Sequence, residues 1–349
     1  MASLKLANVW RVISEVDLEG LRVAAQTPFE IALVSEDHTL AEAVKSALLG
    51  DGSDPAAPWI AVVPPREFIE RPVVPMFALL ISDTAELTVA MNAVDEHCIR
   101  ARVARATVIV AAPSRGAVSR RFGEAVRVGL PVATADAVGA IAPDIVSLVS
   151  SDQRLALGAA LPVFRPAVAD AIVEETARAN ATFALTTGLA ETVPVLTAPL
   201  SLGDMVVLTK NQLLMGYRIM LASGRDGEPR TMVKEVLGVL GGGLLFRQAA
   251  RQLVGLIPVV GLLPKVAIAY GGTWAMGRAL TAWSMGGADV TSDAVRSYSS
   301  EGLARGRVAA KQLLSQMREV APASKRSWQR LRGWLPLRGR RRTDTQSPH

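Results

Sequence analysis

From Phe29 onward, short apolar runs alternate with stretches in which apolar residues recur every three or four positions. Phe29–Val34, Trp59–Val63, Phe77–Ser82, Thr107–Ala111, Pro131–Ala133 and Ile145–Val149 read as buried strands. Leu40–Leu49, Ala85–Arg100 and Gly116–Val128 read as helices between them. Such alternation predicts an α/β layer domain over residues 28–150, with a mostly parallel sheet covered by helices. From about Ser151 the pattern is helical: Pro166–Leu185, then Asp204 to about Ser223, stopped by Gly224. Thr291-Ser292-Asp293 opens a last helix reaching about Glu319, within a segment 291–321. Ahead of the sheet, Leu4, Leu6, Val9, Trp10, Ile13, Val16 and Leu18 mark an amphipathic helix in the segment 1–27.

One stretch departs from both patterns. From Thr231 to Gly286, glycine and apolar residues almost exclude everything else. Leu253 to Met276 is 24 residues with a single charge, Lys265, long enough to reach across a bilayer core. Pro258 and Pro264 break that run, so it predicts two helical arms, a hydrophobic hairpin over about 232–284. The glycines at 241, 242, 243, 255, 261, 271 and 272 would let those arms pack closely. The expectation is an all-α, glycine-rich membrane domain over 151–290, with transmembrane helices and a bacterial inner-membrane location, the N-terminal domain cytoplasmic. Lys265 is expected at the membrane surface, where a lysine costs far less than at the bilayer centre.

Composition narrows the chemistry. Half of the residues are hydrophobic and 20% are charged, which is ample material for a core. One cysteine, Cys98, excludes an intramolecular disulfide, and three histidines beside it leave no zinc or iron site. The net charge of +6 is uneven: Arg318–His349 holds nine Lys or Arg against two acids, so the rest is close to neutral. In the basic tail 322–349, Arg326, Arg340, Arg341 and Arg342 accompany Trp328 and Trp334. Anionic headgroups would attract these charges while the indoles settle at the interface. Single-stranded nucleic acid would accept the same set and ranks behind lipid, and a merely solubilising tail is the plainer alternative.

Two further stretches carry polar residues where chemistry is conceivable. In rhythm Ile31–Gly50 resembles the start of an Era-like GTPase domain: apolar strand, loop, then a helix ending Leu-Leu-Gly. A working loop needs Gly-x-x-x-x-Gly-Lys-Ser/Thr, whose backbone N–H groups and lysine hold phosphate and whose hydroxyl holds magnesium. The corresponding positions are Ser35, Leu40, Ala41 and Glu42, so both glycines and the lysine are missing and an acid replaces the magnesium ligand. The reading is a degenerate GTPase-like domain without a working P-loop, without cofactor and without metal. An unrelated α/β fold is the alternative. In the predicted helix from Asp204, the residues Asp204, Asn211 and Arg218 recur every seven positions and share one narrow stripe. That stripe is either a polar track for a ligand or a network that fixes register between helices.

The segments Ala167–Leu185, Gly203–Gln212 and Leu256-Ile-Pro-Val-Val-Gly261 through Gly277 resemble the YcjF-like family of bacterial membrane proteins, domain of unknown function 697. The resemblance covers roughly Leu161–Ser284. It implies a membrane-associated protein of the kind found behind Era-like GTPase domains and supplies no catalytic residue. The functional expectation is therefore a non-enzymatic, membrane-associated scaffold or regulator with a pseudo-GTPase domain. Its expected partners are an anionic lipid surface and a protein such as a GTPase, with homo-oligomerisation left open. A GTPase with an atypical loop and a soluble helical interaction protein are the alternatives.

Overall fold

The computed structural model describes residues 16–50, 59–111, 125–190, 202–241, 262–287 and 290–320. Helix α1 (Leu18–Gln26) precedes a β/α alternation of β1 (Ile31–Val34), α2 (His38–Leu49), β2 (Ile60–Val63), α3 (Pro65–Glu70) and β3 (Phe77–Ser82). It continues with α4 (Val89–Ala101), β4 (Ala104–Val110), β5 (Ala125–Leu130) and α5 (Ala135–Val146). Six helices complete the described chain: α6 (Ser151–Ala160), α7 (Arg165–Ala190), α8 (Leu202–Ala222), α9 (Pro229–Gly241), α10 (Leu262–Gly286) and α11 (Ser292–Val320).

The five strands form one fully parallel sheet in the order β2-β1-β3-β4-β5. This is the flavodoxin-like doubly wound order. Strands buried on both faces need continuous apolar runs, and all four residues of β1 are buried. Ile31, Leu33, Phe77, Leu79, Val108 and Val128 point to the side of α2 and α5. Ala32, Val34, Ala78 and Leu80 meet Phe68 of α3 and Met91, Val94 and Cys98 of α4.

The first of these two cores does not stop at the sheet. It continues through Phe164, whose ring meets Phe77 edge-on at 6.5 Å, into Val168, Ile172, Tyr217, Trp274 and Leu280 of the helices. Helix α10 lies at the centre of that helical half, against α7, α8 and α11. Glycines set the separations. A Cβ on Gly271 of α10 would fall 2.6 Å from the carbonyl oxygen of Gly302 in α11. One on Gly277 would fall 2.5 Å from Val173 of α7, and one on Gly216 of α8 2.5 Å from Val236 of α9. Gly272, next along α10, has open space at its Cβ position.

Several sequence expectations need correction. Gly116–Val128 does not end as a helix: Ala125–Val128 belongs to β5, whose Val126, Val128 and Leu130 alternate onto one face of the sheet. Pro131–Ala133 is a bend, and Ile145–Val149 is not a strand. Val138, Ile141, Ala142 and Ile145 have helical spacing, and they form the buried face of α5. The amphipathic helix expected over Leu4 to Leu18 lies mostly outside the described residues; α1 packs chiefly on α6, with smaller contacts to α8 and α9.

The larger correction concerns the membrane. Among the described residues no helix is long and apolar enough to cross one, which overturns the transmembrane helices and the inner-membrane location expected from the run at 253–276. Helix α9 has 13 residues, about 20 Å at 1.5 Å per residue, against a hydrocarbon core of about 30 Å. Helix α10 has 25 residues, but Lys265 and Arg278 and four glycines dilute its apolar content. Its Thr273, Thr281 and Ser284 are buried by neighbouring protein. The stretch from Pro258 to Pro264, which would join the two arms, lies mostly outside the described residues.

Two outcomes follow from this packing. Gly271→Ala overpacks the α10–α11 contact and lowers stability by about 1–3 kcal/mol, whereas Gly272→Ala raises it by about 0.5–1 kcal/mol. Denaturant unfolding midpoints of the two neighbouring variants check this. The second outcome concerns alkaline pH. Burial pushes the Cys98 thiol up to about 11 and the Tyr217 phenol up to about 12. Both folded-state values lie above the unfolded ones, so this stability is complete below about pH 8.5 for Cys98 and about pH 10 for Tyr217. It is lost as pH rises through about 11 and 12. Melting temperature therefore falls over pH 9–12, and the slope is shallower in Cys98→Ala, which thermal scans in a pH series would show.

Candidate functional site

In doubly wound sheets, ligands bind outside the carboxyl ends of the strands where the strand order reverses, here between β1 and β3. A phosphate site on β1 needs a loop of free backbone N–H groups leading into the following helix. Only Ser35, Glu36 and Asp37 separate β1 from α2. Their polar groups are turned inward on one another: the buried Ser35 Oγ accepts from the Asp37 N–H at 3.1 Å, and Asp37 Oδ1 accepts from the Leu40 N–H at 3.1 Å. The Asp37 carboxylate thus caps α2 at the place where a phosphate would sit.

The other residues expected in that loop are already helical. Leu40, Ala41 and Glu42 lie in the first turns of α2, and Ala41 is fully buried against the sheet. No side chain at 41 could reach a phosphate without leaving the core.

The turn after β3 closes on itself in the same way. The Thr84 N–H donates to Ser82 Oγ at 3.1 Å, and Thr84 Oγ1 donates to the Glu86 carbonyl at 2.9 Å. Asp83 is exposed between them. The loops after β1 and β3 therefore bring Glu36, Asp37, Asp83 and Glu86 to the switch point and no lysine or arginine. Their summed charge repels phosphate. Among the described residues no group of three His, Cys, Asp or Glu could hold a metal ion.

The polar stripe of α8 faces α7 and α10. Asn211 Nδ2 donates to Asn180 Oδ1 at 2.7 Å, and Asn180 Nδ2 donates to Thr273 Oγ1 at 2.9 Å. Thr273 Oγ1 in turn donates to the Ala269 carbonyl at 2.8 Å. Asn180 is fully buried, so three helices are tied together by one internal chain of hydrogen bonds. Two turns along, Arg218 meets the Glu175 carboxylate at 3.4 Å, and Arg154 of α6 approaches the same carboxylate at 3.8 Å. The side chain of Asp204 lies outside the described residues. Each of these bonds is made within the chain itself, between helices α6, α7, α8 and α10 or within α10.

Sequence reasoning found Asn211 and Arg218 but not their partners. Asn180 was legible in principle: Val173, Ala177, Asn180 and Ala184 share the apolar face of α7, and an amide there requires a partner. A second link, also unforeseen, joins α10 to α7: the Tyr270 hydroxyl donates to Glu174 Oε2 at 2.5 Å. Burial, reinforced by that carboxylate, pushes the Tyr270 phenol far up, so it remains a neutral donor.

Lys265 lies in the first turn of α10, half-buried. Arg326, Trp328, Trp334, Arg340, Arg341 and Arg342 lie outside the described residues. The chain matches no family model, no curated protein and no solved structure.

Proposed function

We propose that this chain is a non-enzymatic regulatory or scaffolding protein, acting through contacts with other proteins, whose α/β layer is a nucleotide-free descendant of a GTPase-like module. The observation that carries the reading is the Asp37 carboxylate on the N-terminus of α2. An internal anion there takes up the N–H donor that a phosphate would use and repels an incoming one. A strand, a short loop and a helix follow one another here in the order a phosphate-binding unit would need, while Ala41 and Glu42 lack its chemistry. The likeness of Leu161–Ser284 to the YcjF-like family supports a module that accompanies GTPases rather than acting as one. The internally satisfied network of Asn180, Asn211 and Thr273 fits a rigid scaffold better than a ligand track.

Titration calorimetry with GTP and with ATP, each with magnesium, tests the reading. No binding tighter than about millimolar is expected, and a micromolar site would replace this proposal with a GTPase of atypical loop. Asp37→Ala is expected to cost about 1 kcal/mol of stability through the lost cap, measured by denaturant unfolding.

A further inference from the structure

Helix α1 lies on the bundle by one narrow apolar face, with Leu18, Leu21 and Ala24 half-buried against the core. Of its nine residues only Ala25 is buried, and Val23 is 55% exposed. Among the described residues its polar attachments to the bundle are two. The Tyr217 hydroxyl of α8 donates to the Leu18 carbonyl at 3.1 Å, and Arg22 approaches Asp226 at 3.8 Å in an exposed pair. Exposed ion pairs hold little. The Glu19–Arg22 pair lies within α1 itself and travels with it.

The chain beyond α1 is held differently. After Thr27-Pro28, the Phe29 ring meets Trp59 at 4.9 Å, the Met76 N–H donates to the Glu30 carbonyl at 2.8 Å, and Arg71 pairs with the Glu30 carboxylate at 3.1 Å. The segment is thus pinned firmly to the sheet on one side of Pro28 and lightly to the bundle on the other. Beneath α1, Tyr217 is the largest fully buried side chain of the described residues, and the only acceptor its hydroxyl uses is the strap above it.

We propose that α1 is a strap that lifts from α6, α8 and α9 as a unit, hinged at Thr27–Pro28, while the sheet and the bundle stay folded. Lifting wets the Tyr217 hydroxyl and uncovers the face of α8 around it, so that this surface exists only in the open state. Regions with few buried apolar contacts open below the global unfolding free energy, which is the physical basis of such a device.

Hydrogen exchange of the full chain by mass spectrometry tests it. In the native protein the amides of residues 22–26 are expected to exchange at least about 100-fold faster than those of α8 and α10. Tyr217→Phe removes one hydrogen bond and keeps the buried ring. It is expected to speed α1 by a further ~5-fold and leave α10 unchanged. Exchange of α1 in step with α8 and α10 in the native protein would overturn the proposal without need of any variant. Equal acceleration of every helix by Tyr217→Phe would overturn it as well.

Discussion

The helical half depends on one close approach, the passage of α11 across α10 at Gly271, Gly302 and Gly306. The backbones meet with no Cβ between them, since a Cβ on Gly271 would lie 2.6 Å from an atom of the opposing main chain. Glycine in a helix interior weakens that helix by up to about 1 kcal/mol, a cost offset by dispersion contacts along the whole crossing. Gly302 also leaves room for Trp274, which packs beside it with the Arg305 guanidinium 4.8 Å from its ring centre. With α11 seated this close, the opposite side of α10 faces α7 and α8, where Gly277 admits Val173 and Met215.

Because much of α10 is buried against α7, α8 and α11, its polar residues can be used for alignment. Thr273 lies where α7, α8 and α10 converge, and its hydroxyl receives Asn180 and donates to its own helix. Apolar side chains pack acceptably in several registers, whereas a donor and an acceptor must meet within a few tenths of an ångström. Leaving any member of the chain unpaired at full burial costs about 1–3 kcal/mol, so slipped arrangements of these helices are disfavoured.

The sheet shows a comparable internal closure. A doubly wound sheet presents the carboxyl ends of its strands for binding, and here the ends of β1 and β3 are closed by the chain's own groups. Ser35 and Asp37 satisfy the donors after β1, and Ser82 and Thr84 satisfy the turn after β3. Phe77 and Phe164 join this layer to the bundle through an apolar contact, so the two halves share one continuous core.

Local pattern alone determined the strands at Ile31–Val34, Ile60–Val63 and Phe77–Ser82 and the change to helices near Ser151, because continuous apolar runs and helical spacing are properties of a short window. It also determined that the loop at Ser35–Glu42 lacks the groups that hold phosphate, since the required residue types are absent. The β5 strand and the α5 helix were misread where a few β-branched residues suit either state and the face that becomes buried decides. The apolar run at 253–276 has the hydropathy of a membrane segment, and a window of hydropathy cannot distinguish lipid from protein as the surroundings of a helix. The buried faces of α10 meet residues nearly a hundred positions before it and thirty after it, and only the tertiary structure brings Asn180 to Thr273 and Gly302 to Gly271. Such pairings depend on the relative placement of whole helices, a quantity no local pattern contains.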